Sequence, residues 1–177
     1  MTTFAAIDFE TANHSPNSAC AVGLAVVKGS RIIRREQYLI RPPERQFAFT
    51  YLHGLSWEDV RDAPTFDDLW PTLLGRIADT GFLAAHNASF DRNVLASCCR
   101  TYGLQPPSQA FVSTVKLART VWNVYPTKLP DVCRHLSIPL HHHEAGSDAE
   151  ACARIVIAAA EAGWRYDAAH AAETRGK

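Results

Sequence analysis

The chain has 177 residues, of which 47% are hydrophobic and 20% charged, with 18 basic side chains balanced by 18 acidic ones. At roughly 100–200 residues per domain this is one domain spanning 1–177, and the balance excludes a disordered, collagen-like or low-complexity chain. A formal charge of zero also excludes a broad basic surface for coating long nucleic acid, so any nucleic-acid contact must be local.

No apolar run approaches the ~20 residues of a membrane span, and Asp8 arrives too early for a secretory leader. The expectation is a soluble, cytoplasmic protein with no membrane partner. Cys20, Cys98, Cys99, Cys133 and Cys152 are odd in number and lack Cys-x-x-Cys spacing. They read as buried free thiols rather than a disulfide framework or a zinc site.

Residues 3–9 form an apolar run that meets its first charge at Asp8, as a buried strand would. Two further strand-like runs, 19–27 and 31–40, are joined by Lys28-Gly29-Ser30, which suits a hairpin. The three make an antiparallel meander, ended by Arg41-Pro42-Pro43 because proline cannot donate to a ladder. From Thr65 the period changes. Phe66, Leu69, Trp70, Leu73, Leu74 and Ile77 share one helical face, and Thr65 with Asp68 reads as a capping pair. Pro71 should kink this helix or move its start. Gly81 to His86 reads as a short strand, followed by a helix carrying Val94, Leu95, Cys98 and Cys99. Further helices are expected at 114–123, 129–137 and 147–162, with Ser147 as the N-cap of the last. From about 166 the chain reads as a frayed tail. Strands followed by alternating helix and strand define an α/β domain with a mixed sheet.

The chemistry lies in three acidic pieces. Asp8 and Glu10 are two apart at a strand end, so their side chains point the same way. Two adjacent carboxylates repel unless a cation lies between them, which makes them candidate ligands for a hard divalent ion. Asp91, in His86-Asn-Ala-Ser-Phe-Asp91, falls in the first turn of a helix, where the helix dipole favours negative charge. His143 and Asp148 are separated by four residues on a Gly-containing loop entering the last helix, a suitable way to bring a general base beside a metal ligand. Of the three adjacent histidines only His143 has that spacing, so His141 and His142 are expected to be dispensable.

In this order and spacing, Asp8-x-Glu10, His-Asn-Ala-x-Phe-Asp91 and His143-x-x-x-x-Asp148 resemble the DEDDh 3′–5′ exonucleases. His53-Gly54-Leu55-Ser56 and Asp62-Ala63-Pro64-Thr65-Phe66 resemble the segment between those motifs, and the likeness runs from about residue 3 to 160. It implies a ribonuclease-H-like fold, with a five-stranded mixed sheet and helices on both faces. It implies two ions, Mg²⁺ or Mn²⁺. Asp8, Glu10 and Asp148 would hold the first, Asp8 would bridge to the second, Asp91 would assist the second, and His143 would be the general base. Thr11 and His53 would lie near the terminal nucleotide, with Asn87 and Phe90 lining the pocket.

Two divalent ions ~3.5–4 Å apart are what phosphodiester hydrolysis requires, since one activates the nucleophile and both stabilise the leaving oxygen. The partner implied is a 3′ end of single-stranded DNA or short RNA, in replication or repair. Thr-Ala-Asn-His after Glu10 departs from the Thr-Thr-Gly of many proofreading subunits, and the chain stops soon after its last helix. Both point to a stand-alone bacterial exonuclease. The alternatives are an RNA-preferring enzyme of the ribonuclease T or oligoribonuclease kind, or a catalytically silent module that binds nucleic-acid ends. The intact acidic set argues against the silent module.

Overall fold

The computed structural model describes residues 3–167. The amino-terminal meander forms as the patterning requires. Strand β1 (Thr3–Thr11) pairs antiparallel with β2 (Ala19–Lys28), which pairs antiparallel with β3 (Arg31–Leu39) through a two-residue turn at Gly29 and Ser30. Two single-turn helices, α1 (Thr50–His53) and α2 (Trp57–Val60), precede the longer α3 (Phe66–Ile77). The order is completed by β4 (Phe82–Ala85), α4 (Ala88–Thr101), β5 (Ala110–Ser113), α5 (Thr114–Trp122), α6 (Leu129–Leu136) and α7 (Ala145–Glu161). The sheet order is β3-β2-β1-β4-β5, with β4 parallel to both β1 and β5. This is the mixed five-stranded sheet that the resemblance implies. The edge strand β5 carries too few residues to stand out as a separate run in the sequence.

The period-2 alternation of β1 divides the core. Ala5, Ile7 and Phe9 pack with Phe66, Leu73 and Ile77 of α3 and Val94, Leu95 and Cys98 of α4. Phe4 and Ala6 belong to the opposite layer, with Leu117 of α5, Val132 of α6 and Cys152, Ile155 and Val156 of α7. Helices thus cover both faces. By the same parity, Asp8 and Glu10 point to the layer of α5, α6 and α7. All five cysteines are free and buried.

Three local expectations change. Helix α3 starts at Phe66 behind a capping box of Thr65 and Asp68 and runs through Pro71 without a shifted start. The missing N–H of Pro71 would have served the Asp67 carbonyl, and both residues face solvent. Leu74 lies outside the buried stripe at 39% exposure. Helix α7 begins at Ala145, with Glu144 rather than Ser147 as its N-cap. Tertiary contacts set this start. A Cβ on Gly23 of β2 would lie 1.8 Å from the Ala145 carbonyl oxygen, so only glycine lets the first turn of α7 press onto the sheet. The Gly146 N–H donates to Gln37 Oε1 of β3 at 2.7 Å, serving a helix N-terminal donor from across the sheet. Ser147 is buried, and its hydroxyl accepts from the His141 N–H at 2.8 Å.

At the carboxyl end Tyr166 stacks on Phe82 with ring centroids 4.3 Å apart. The rest of the expected tail, 168–177, lies outside the described residues. Among the described residues no helix is long and apolar enough to cross a membrane.

Candidate active site

Register brings the acids together. Asp8 sits opposite Gly23, whose missing side chain admits α7, so Asp148 in the first turn of α7 descends beside the end of β1. Ligand oxygens of Asp8, Glu10 and Asp148 all lie within 4.8 Å of one another. Asp91, from the first turn of α4, reaches the same strand end, and its Oδ1 accepts the Phe9 N–H at 3.0 Å. Asp91 and Asp148 are only 2% and 3% exposed. Asp8, Glu10 and Asp148 line a cavity of about 680 Å³ together with His86, Asn87, Phe90, His142 and His143.

The electrostatics are those of an uncompensated cluster. Burial, then the charges of Asp91, Asp148 and Glu10, hold Asp8 well above the usual carboxylate range. Burial, then Asp148 and Asp91, push Glu10 up to about 8. Asp91 is pushed up to about 7 because burial outweighs the Phe9 N–H bond. Asp148 is raised by burial against the opposing pull of His142. Among the described residues no lysine or arginine forms an ion pair with any of the four. Asp148 Oδ1 is buried and has no hydrogen-bond partner among the described residues. Crowded carboxylates, an orphaned buried oxygen and an all-oxygen donor set fit a hard divalent cation.

The histidine loop differs from the expectation. The His143 ring lines the cavity, its backbone lies in the left-handed region at φ 68°, and its own N–H donates to Asp148 Oδ2 at 3.1 Å. The ring that meets this carboxylate is that of His142, with Nδ1 2.9 Å from Asp148 Oδ2. The two rings stack with centroids 3.8 Å apart. Burial, then His142, lower the His143 pKa against the pull of Asp148. His142 is therefore not a bystander of the triplet, a fact that four-residue spacing alone does not reveal.

The residues expected near a terminal nucleotide separate into two pairs. Asn87 and Phe90 line the acid cavity, with Asn87 left-handed at the start of α4 and Phe90 44% exposed. Thr11 and His53 lie outside the lining of that cavity and bond to each other. The Leu55 N–H donates to His53 Nδ1 at 3.1 Å, so Nε2 carries the proton and donates to the Thr11 carbonyl at 3.1 Å. Burial, the largest influence, lowers the His53 pKa against the opposing effect of the Thr11 carbonyl.

Sequence reading also misses the far wall. His86 Nε2 donates to the Thr127 carbonyl at 2.9 Å, and its Nδ1 accepts from the Thr114 hydroxyl at 2.8 Å. This ties the start of α4 to α5 and to the α5–α6 loop, and it brings Arg119 and Lys128 to the cavity. Their positions 28 and 37 residues beyond Asp91 carry no local motif.

The sequence profile of the RNase T exonuclease family matches residues 5–156. The chain belongs to the DEDDh 3′–5′ exonuclease family. This exonuclease domain is 33% identical over 157 residues to the PolC-type DNA polymerase III of Oceanobacillus iheyensis, and 29% identical over 159 residues to that of Caldanaerobacter subterraneus subsp. tengcongensis. The matches cover 84% and 87% of this chain and 11% of each polymerase, so the chain spans about a tenth of these relatives. Exonuclease X, solved in complex with 5′ overhanging duplex DNA, is 25% identical, with a TM-score of 0.75 covering 92% of this exonuclease and 94% of that chain. The nuclease domain of 3′hExo, a DEDDh member solved bound to rAMP, shares the fold at 20% identity, a TM-score of 0.76, and coverage of 91% and 92%.

Proposed function

We propose that this protein is a divalent-metal-dependent exonuclease that removes nucleotides from the 3′ end of single-stranded DNA, and of short RNA less readily. The observation that carries this reading is the acid cluster itself: among the described residues Asp8, Glu10 and Asp148 converge without a lysine or arginine partner, one Asp148 oxygen lacks any hydrogen bond, and His143 lines the same cavity. Asp8, Glu10 and Asp148 would hold one Mg²⁺ or Mn²⁺, with Asp8 shared with a second ion that Asp91 assists. When bound, such a pair supplies an ionised water at neutral pH and neutralises charge on the leaving oxygen. His143, whose pKa burial and His142 lower against the pull of Asp148, accepts a proton at a ring nitrogen. His142 holds Asp148 Oδ2 in place through Nδ1. Asn87 and Phe90 form the floor for the terminal nucleotide, and the exposed Phe90 ring offers a stacking face. Thr11 and His53 fix the turn beyond Glu10 and act on the terminal nucleotide through that backbone.

The DNA preference is supported by the PolC-type DNA polymerase relatives and by the DNA complex of exonuclease X. A cytoplasmic setting, serving replication or repair, is supported by five unpaired thiols, which suit a reducing compartment. The deciding experiment digests 5′-labelled and 3′-labelled DNA and RNA oligonucleotides side by side with Mg²⁺, Mn²⁺ or EDTA. Release of mononucleotides from the 3′ end, dependent on metal and faster on DNA, is expected. Full activity in excess EDTA, or cleavage of closed circular single strands, would sink the reading.

A further inference from the structure

Arg119, near the end of α5, and Lys128, the residue preceding α6, line the same cavity as Asp8, Glu10 and Asp148. Both are exposed. They stand on elements that carry none of the four acids, and among the described residues neither forms an ion pair. Other exposed cations are also unpaired, so what sets these two apart is their place in the wall of the acid cavity.

Arg119 is also held in place. Its Nε donates to Thr127 Oγ1 at 3.0 Å, and its Cζ lies 5.4 Å from the centroid of the Tyr125 ring. The Thr127 carbonyl is in turn fixed by His86. Anchored by Nε and by the ring, the guanidinium has its two terminal nitrogens left for a ligand, and a planar fork matches phosphate oxygens two at a time. Lys128 occupies the N-cap of α6 without a side-chain cap, so the positive end of that helix lies at the same wall.

We infer that Arg119 and Lys128 grip a backbone phosphate of the substrate strand upstream of the one being cut. The scissile phosphate must sit against the four acids. These two cations line the same cavity from other elements and form no ion pair with the acids among the described residues, which suits a second phosphate and makes the site selective for polynucleotides over single nucleotide esters. The inference rests on the exonuclease reading and specifies its substrate.

The test measures binding of a 5′-fluorescein single-stranded DNA by anisotropy in Ca²⁺, for wild type, Arg119→Ala, Arg119→Lys and Lys128→Ala. A parallel set of oligonucleotides carries one neutral methylphosphonate at the linkage just upstream of the scissile one. Arg119→Ala is expected to weaken binding roughly ten-fold. Its log K against log salt slope should be shallower by about 0.7, one phosphate contact on a single strand. Lys128→Ala should do less, and Arg119→Lys should recover part of the loss. The methylphosphonate should weaken wild-type binding by a similar factor and leave Arg119→Ala nearly unaffected, because the two changes remove the same contact. Unchanged melting temperatures establish that the variants fold. Arg119→Ala binding like wild type, or suffering the full methylphosphonate penalty, overturns the inference while normal wild-type trimming leaves the exonuclease reading standing. A wild-type protein that neither binds nor trims a 3′-ended strand overturns both.

Discussion

Glu36 on β3 accepts from Arg34 and Arg76 at 2.9 and 3.0 Å, and Arg76 and Arg34 outweigh a partial burial to leave its pKa below the ordinary value. Asp68 accepts from the Thr65 hydroxyl and N–H at the start of α3 and is lowered by both. In the cavity Asp8, Glu10, Asp91 and Asp148 carry the same functional group and are all shifted the other way. The outer acids are satisfied by protein donors, whereas the cavity acids, Asp91 and Asp148 buried and Asp8 and Glu10 half-buried, crowd together with no lysine or arginine paired to them among the described residues and only His142 on Asp148. Gathering these four acids costs the fold stability, a cost that a bound cation would remove.

The comparison breaks most completely at Asp8. Asp8→Ala should lower exonuclease turnover by about a thousand-fold, more than any other single ligand change, because Asp8 is the candidate bridge between both ions. Steady-state release of 3′-terminal nucleotides measures this, and a loss smaller than that from Asp91→Ala would contradict the bridging role.

The three histidines come next. His143→Ala should reduce turnover by roughly 10²–10⁴-fold, the range for a general base, with substrate affinity little changed. His142→Ala should instead raise the metal concentration needed for half-maximal activity, by roughly 10–100-fold, because its ring orients Asp148. His141 contributes backbone groups, its N–H to the Ser147 hydroxyl and its carbonyl to the Glu144 N–H, which alanine keeps, so His141→Ala should stay within a few-fold of wild type. Metal titrations of the three variants separate these roles, and equal effects at all three positions would reduce the triplet to a metal-binding tract.

Stability against pH sharpens the contrast without reference to catalysis. Glu10 and Asp91 have folded-state pKa values raised to about 8 and about 7, so the native state holds protons that the unfolded state has released. Their contribution is fully present below the unfolded carboxylate pKa and is lost as pH rises through 7 and 8. Thermal melting in EDTA should therefore fall between pH 5 and 8, and Mg²⁺ or Mn²⁺ should flatten that fall. A melting temperature that rises over this window in EDTA would show that the cavity acids are compensated after all.

The smallest effect belongs to the outer surface. Glu58 and Arg61 pair at 2.6 Å but are 70% and 54% exposed, so Glu58→Ala should change stability by no more than about 0.5 kcal/mol. Activity should not change. A loss above about 1 kcal/mol in urea unfolding would show that the surface ion pairs matter more than this contrast allows.

Much of this architecture is legible in the sequence because its signals are local. Asp8 and Glu10 share a face by strand parity, and Thr65 with Asp68 announces α3 through its cap. Asp91 falls in a helix's first turn just after a short apolar strand. What escapes is set across the sheet. The start of α7 at Ala145 depends on space at Gly23 and an acceptor on Gln37, some 120 and 110 residues away in the chain. His142 meets Asp148 because the loop turns left-handed at His143, and Arg119 of α5 is held at the cavity by Thr127, which His86 fixes from the start of α4.

The central claim, that the four acids form a cation site, is tested most directly by thermal unfolding of wild type and Asp8→Asn at pH 8, with and without Mn²⁺. Without metal, Asp8→Asn should melt higher than wild type, since an amide folds into the cluster without the charge or the proton that the Asp8 carboxyl must bring there. With metal, wild type should rise by several degrees and overtake a variant that barely responds. Wild type indifferent to Mn²⁺, or a metal-free Asp8→Asn that melts lower than wild type, would contradict the claim.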